Sequence, residues 1–244
     1  MKNELVKYDE LQALMQDSGF DYDAELLRIE TPNGLDLPRI RIEHRDNGRH
    51  QMFIDYGESY SDLEQQEKDV EGSVITGVVF AEQHIRALWE ADSPIPRCSG
   101  IDHLPVVANP VANTCHSCRE SVIGTGKCKP KIRLWLLVNG KPLIFNLSPT
   151  SIKHWEAHKR KLKRSKLPVV VVSTRFGLED VKKNGYRWAE VTIDVTGVAG
   201  KDELLLAREA RDELDRIMRR ITRDDFADNG DQLEDEDNTN EVEF

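Results

Sequence analysis

The stretch that decides the fold is Ile132-Arg133-Leu134-Trp135-Leu136-Leu137-Val138-Asn139-Gly140-Lys141-Pro142-Leu143-Ile144-Phe145-Asn146-Leu147-Ser148-Pro149. Ile132 to Val138 reads as a strand. Asn139-Gly140 is a strong two-residue hairpin signal, because both central residues of that turn need positive φ. Pro142 to Leu147 reads as the returning strand. Ser148-Pro149 fits an N-cap followed by proline at the first helical position. The helix that follows is expected to reach about Lys163, with Ile152, Trp155 and Leu162 turned inward.

Downstream, Leu167 to Thr174 and Tyr186 to Val195 read as two further strands. Lys201 to Thr222 reads as one helix with Leu206, Ala210, Leu214, Ile217 and Ile221 on a single stripe. That stripe can pack on the sheet or on another subunit, so a homodimer is one expected assembly. Upstream, residues 6–28 read as one or two short helices. Arg39 to Ile42 alternates as a strand does, with Pro38 at its start. Asp46-Asn47-Gly48 is a turn, and Gln51 to Tyr56 returns. Residues 57–72 are polar and loop-like, Val74 to Phe80 is a buried strand, and Gln83 to Trp89 suggests a helical turn. Residues 92–130, rich in Pro, Gly, Asn and Cys, predict no dominant regular element.

This order predicts a mainly β, α+β chain. The five-stranded OB barrel, with a helix between its later strands, fits it; a different α+β sheet is the alternative. The expected organisation is a helical segment over 1–30, an OB-like domain over 31–200, a C-terminal helix over 201–223 and a disordered acidic tail over 224–244.

The net charge of −10 conceals two opposite regions. Ten acids and no Lys or Arg lie between Asp224 and Phe244; without them, 34 acids face 34 bases. Between Arg119 and Arg187 there are seventeen Lys or Arg and four acids. Such asymmetry points to a polyanion partner for the body and a separate role for the tail. No run of about 18 apolar residues exists, and the N-terminus lacks a signal peptide's apolar core, so a cytoplasmic protein without a membrane partner is expected.

There thiols stay reduced, which favours metal over disulfide for Cys98, Cys115, Cys118 and Cys128. Cys115-His116-Ser117-Cys118 can set two thiolates on one ion, and loops can bring the outer two to it. The segment is too polar to make a core of its own, so a structural Zn2+ would replace one. His103 or His116 could substitute for one thiolate. Four unrelated buried cysteines are the alternative.

Cations and rings alternate through the basic region. Lys129, Lys131 and Arg133 lead into Trp135. Lys159, Arg160 and Lys163 lie on the helix. Arg175-Phe176 and Tyr186-Arg187-Trp188 repeat the pairing. Unpaired nucleic acid needs both groups, cations for phosphates and rings for bases. Trp155, at helical spacing, reads as core, and the helix cations can equally be a solvated face.

The chain ends in an acidic run and Phe244, and thereby resembles replicative single-stranded DNA-binding proteins of bacteria and their phages. Cys98-Ser99-Gly100-Ile101-Asp102, Cys115-His116-Ser117-Cys118, Gly126-Lys127-Cys128-Lys129, Leu134 to Val138, and Leu147-Ser148-Pro149-Thr150-Ser151 before a basic helix resemble phage- and mobile-element-encoded zinc-containing OB-fold proteins over about residues 70–195. The resemblance implies a zinc loop over 98–128 inserted in an OB barrel, and binding of single-stranded DNA without sequence preference. It implies a non-catalytic role in replication or recombination, with partner proteins recruited by the tail through Phe244. A zinc-ribbon transcription or RNA-binding factor is the alternative. A zinc-associated nuclease is expected less, because His154 and His158 flank Glu156 in an order unlike that of a zinc protease.

Overall fold

A computed structural model describes residues 37–56 and 73–221, except 46, 91, 92, 94, 123, 124, 184 and 220, together with Ser18, Asp225 and Phe226. The side chains of Arg216 and Ile217 are also excluded. The chain divides into two units, residues 1–35 and 36–244. The helices expected over 6–28, the polar segment 57–72 and the tail beyond Phe226 lie outside the described residues.

The second unit is built on nine strands. β1 (Arg39–Glu43) and β2 (Gln51–Asp55) form a hairpin. β3 (Ile75–Leu88) is the long strand at the centre of the sheet. β4 (Cys98–Ile101) and β5 (Leu104–Pro105) form a small hairpin. β6 (Lys129–Val138) and β7 (Lys141–Leu147) flank the turn at Asn139 and Gly140. Their φ values of 50° and 78° are the left-handed pair that the sequence there predicts. α1 (Pro149–Arg164) follows with proline in its first turn. β8 (Val172–Lys183) and β9 (Tyr186–Val198) make a long hairpin. α2 (Lys201–Glu213) and α3 (Asp215–Met218) complete the unit.

β3 occupies the region where Gln83 to Trp89 suggests a helical turn. It pairs with β6 over Val78 to Ala87 along one edge, and along the other with β8 over Ile75 to Val78 and with β4 over Ile85 to Leu88. Ile85 and Ala87 alternate inward, and ladders on both sides override a weak local preference for helix. The strand expected over Leu167 to Thr174 begins at Val172, after Pro168 and a 3-10 turn at Val169–Val171, and runs on to Lys183, because β9 pairs with it along its whole length. The described residues between 93 and 128 are largely irregular, as the composition implies, apart from the β4–β5 hairpin and short 3-10 turns.

The sheet runs β2-β1-β7-β6-β3-β4-β5, with β9 joined to β8 and β8 to β3. It is mixed, because β1 pairs β7 in parallel while the other ladders are antiparallel. Among the described residues no ladder joins β9 to β7 or β2, so the sheet is not closed. The β1–β2 hairpin has taken β7's free edge. Side chains bridge the seam instead: His44 Nδ1 accepts the Ala189 N–H at 3.1 Å, and His50 Nε2 lies 3.0 Å from Asp180.

Residues alternate between two faces along β6. Ile132, Leu134 and Leu136 enter the core with Met52, Phe145, Trp155, Phe176 and Val191. Lys131, Arg133, Trp135 and Leu137 take the other face, which α2 and α3 cover. The buried positions of α2 and α3 are Ala207, Ala210, Leu214 and Met218, whereas Leu206 is 41% exposed. The expected stripe is therefore rotated by one residue at its start, because small alanines let the helix approach the sheet closely. The expected single helix is divided at Leu214 into α2 and α3. Among the described residues no helix is long and apolar enough to cross a membrane.

Candidate nucleic-acid interface and cysteine pocket

All four cysteines line one small pocket, with Gly100, Thr114 and Glu120 among its other walls. Cys98 opens β4, in register with Leu88 of β3. Cys115 and Cys118 bracket a 3-10 turn, whose start is held by Thr114 Oγ1 accepting the Ser117 N–H at 3.3 Å. Cys128 is tied to the same loop by its N–H donating to Glu120 O at 2.8 Å. A Cβ on Gly100 would lie 2.7 Å from Cys115 Sγ, so a glycine there leaves room for the sulfur.

The cysteines are free thiols. Burial pushes the Cys128 thiol up to about 11 against the pull of Arg86, and the other three cysteines add to the rise. Burial also raises Cys115. A closed tetrahedral thiolate site needs sulfurs about 3.8 Å apart. The cysteines converge less tightly than that: among the described residues, the group of ligand atoms within 4.8 Å of one another is Glu82, His84 and Glu156. Four thiols around one pocket are still the donor set that a soft divalent ion takes. His103 and His116 stand outside the pocket lining.

The two histidines belong to another feature. The rings of His84, His103 and His116 form a ladder, with centroids 5.5 Å and 4.0 Å apart and interplanar angles of 32° and 27°. At its base Glu82 and Glu156 hold Lys159 between them. Hydrogen bonding to Glu82 raises His84 above its ordinary value. Burial works to raise Glu82, but hydrogen bonds from His84 and Lys159 outweigh it and hold the carboxyl low. Lys159, expected on nucleic acid, is thus engaged within the protein. His154 pairs with Glu190, while His158 is buried and stacks on Trp155 at 5.4 Å, so these two histidines face separate surroundings.

The remaining expected contacts divide by exposure. Tyr186 is 62% exposed at the β8–β9 tip, beside exposed Lys182 and Lys183. Lys129, Arg160 and Lys163 are exposed. Arg175 pairs with Asp194 at 3.2 Å, and Arg187 with Asp180 at 2.7 Å. Those bonds from Arg187 hold the Asp180 carboxyl down to about 2. Trp188 is half-buried, its Nε1 donating to Glu190.

Four of the expected contacts are enclosed. Phe176 belongs to the core. Trp135 is 0% exposed and donates to Gln83 Oε1 at 3.0 Å; Arg133, 2% exposed, lies over its ring. Lys131 is buried on the same face. Cations and rings alternate there as they would on a binding face, but the chain's own C-terminus covers them.

The tail boundary also moves. Asp225, expected to begin a disordered segment with Asp224, is 1% exposed. Its carboxylate lies 2.8 Å from Arg39 Nη1 and 3.0 Å from Arg133 Nη1, and its carbonyl accepts from Asn146 Nδ2 at 3.1 Å. Phe226 packs against Trp89 with Lys131 Nζ 5.5 Å from its ring centroid. Arg133 also donates to Met218 O, so strap and helix meet at one side chain. Burial lowers the Arg133 guanidinium, with Asp225 opposing. The signal that could have found this strap is Phe226, an aromatic within an acidic run.

Comparison with protein-family models, curated proteins and solved structures finds no match to this chain.

Proposed function

We propose that this chain is a non-catalytic single-stranded DNA-binding protein for replication or recombination, working in the cytoplasm on an OB-like framework. The observation that carries the reading is the pair of loops at which exposed cations gather, one of them joined by the exposed ring of Tyr186. In this reading β3, β6 and β7, then α1, then β8 and β9 are taken as the five strands and helix of an OB-like framework whose last strand, among the described residues, pairs only with β8. In that fold the loops after the first strand and between the last two strands grip oligonucleotides. Here the first is the cysteine segment leading to Lys127 and Lys129, and the second carries Lys182, Lys183 and Tyr186. The exposed residues on the end of α1, Arg160, Lys161, Lys163 and Arg164, add positive charge. Cations track phosphates without reading sequence, and an open ring stacks on any base.

In this reading Cys98, Cys115, Cys118 and Cys128 hold one structural Zn2+. The ion would supply cross-linking of a loop that has little apolar core of its own. The acidic residues beyond Phe226, ending in Phe244, would recruit partner proteins. Titration of labelled oligo-dT, with duplex DNA and RNA of equal length as competitors, tests the reading. Preferential, steeply salt-sensitive binding of the single DNA strand supports it. Tighter binding of duplex refutes it, and a preference for RNA favours an RNA-binding factor.

A further inference from the structure

We propose that the His84–His103–His116 ladder is a second stacking surface, which takes an unpaired base of single-stranded DNA on its open end at His116. This rests on the single-strand reading above and adds a site to it. The three rings come from separate segments: β3, the β4–β5 turn and the 3-10 turn between Cys115 and Cys118. Their planes lie within 32° of one another along the ladder, so the outer face of His116 continues a stack already begun.

The middle ring is set by the two-residue turn of the β4–β5 hairpin. Asp102 and His103 have φ values of 48° and 70°, the left-handed pair that such a turn requires. The turn is held there by Asp102 N–H donating to His84 O at 2.8 Å and by Asp102 Oδ1 accepting the His84 N–H at 2.9 Å. Cys115 N–H donates to His103 O at 2.9 Å, which ties the next segment to it.

The imidazoles of His103 and His116 make no hydrogen bond among the described residues. Structural histidines usually place their nitrogens on a partner. His103 is only partly buried and His116 is exposed, so both edges remain open to a ligand. Stacked rings aim their nitrogens side by side rather than at one point, which suits a planar ligand and not a metal ion. Lys127 and Lys129 flank Cys128 in sequence and are exposed, and Arg86, whose Nη1 donates to Ser121 O at 3.1 Å, acts electrostatically on both His103 and Cys128, so positive charge for a phosphate lies nearby.

The test uses the full-length protein and fluorescent oligo-dT, read by anisotropy at fixed salt. His116→Ala removes the outer ring. His103→Asn removes the inner one while keeping a residue that tolerates positive φ. His116→Tyr restores a ring. Each of the first two variants is expected to weaken binding about fivefold or more, the loss of one stacked base. Their salt slopes should match wild type, because no phosphate-neutralising charge is lost. His116→Tyr should bind as wild type or tighter. Ultraviolet cross-linking should attach thymine to the peptide carrying His116. Wild-type affinity in both ring-deleted variants, or a His116→Tyr variant as weak as His116→Ala, overturns the ladder while leaving single-strand binding standing. A wild-type protein that ignores oligo-dT overturns both.

Discussion

Replacing Asp225 by alanine removes the shared counter-ion of Arg39 and Arg133. Both guanidiniums are almost fully enclosed, and the Asp225 side chain itself has no exposure. Their bonds of 2.8 and 3.0 Å put two positive charges on one carboxylate in a site without solvent. Breaking such a buried pair typically costs about 3–5 kcal/mol, since charge is left unmatched. At about 2–4 °C per kcal/mol for a body of this size, melting should fall by roughly 6–20 °C. Asp225→Asn keeps an acceptor but loses the charge, and should fall between wild type and alanine. The strap offers one escape, because lifting away would return both arginines to water and limit the loss to the strap's own binding energy. Urea denaturation separates these cases. A lowered midpoint with unchanged slope means the strap stays docked, and a reduced slope means it has opened in the native state. Chains ended after residue 226 should match wild type in stability, and chains ended after residue 223 should resemble Asp225→Ala. A change below about 1 kcal/mol in Asp225→Ala with an unchanged urea slope would refute the buried pair, since exposed ion pairs lie in that range.

Purified protein should carry one equivalent of zinc, and Cys118→Ser should lose it together with order in residues 98–128; metal analysis finding none in wild type contradicts the site. Zinc affinity should fall as pH drops, because the raised Cys128 thiol must release its proton to bind. Tyr186→Ala should weaken oligo-dT binding by about 1–3 kcal/mol with stability unchanged, since the ring is mostly exposed. His84 has a folded value above its unfolded one, so its contribution is complete below the unfolded value and is lost as pH rises through the folded value. Denaturation at a series of pH values across that window should show wild type losing stability relative to His84→Gln, and parallel curves would contradict the Glu82–His84 bond.

The β6–β7 hairpin, α1 and most of β9 were legible because their signals are local, whereas the expected Leu167–Thr174 strand caught only the start of β8. Asn139-Gly140 specifies its turn whatever surrounds it, and Ser148-Pro149 specifies a helix start. What could not be read depends on partners distant in sequence. The second half of β3 is a strand because β4 and β6 pair with both its edges. Trp135 has the same cationic neighbours that an open stacking platform would have, and α2 with Met218 encloses it. Asp225 resembles the other acids of its run, and it is set apart by Arg39 and Arg133, 186 and 92 residues away. The cysteine spacing predicts a shared site; the four line one pocket, but more loosely than a closed thiolate site requires. The imidazole ladder draws its rings from three separate segments, which no single motif contains.

The central claim is that the two loops grip unpaired DNA. Equilibrium titration of full-length protein against labelled oligo-dT and a duplex of equal length, repeated across a salt series, tests it most directly. The account predicts clear preference for the single strand, with log affinity falling linearly as log salt rises. Equal or tighter binding of duplex, or affinity indifferent to salt, would contradict it.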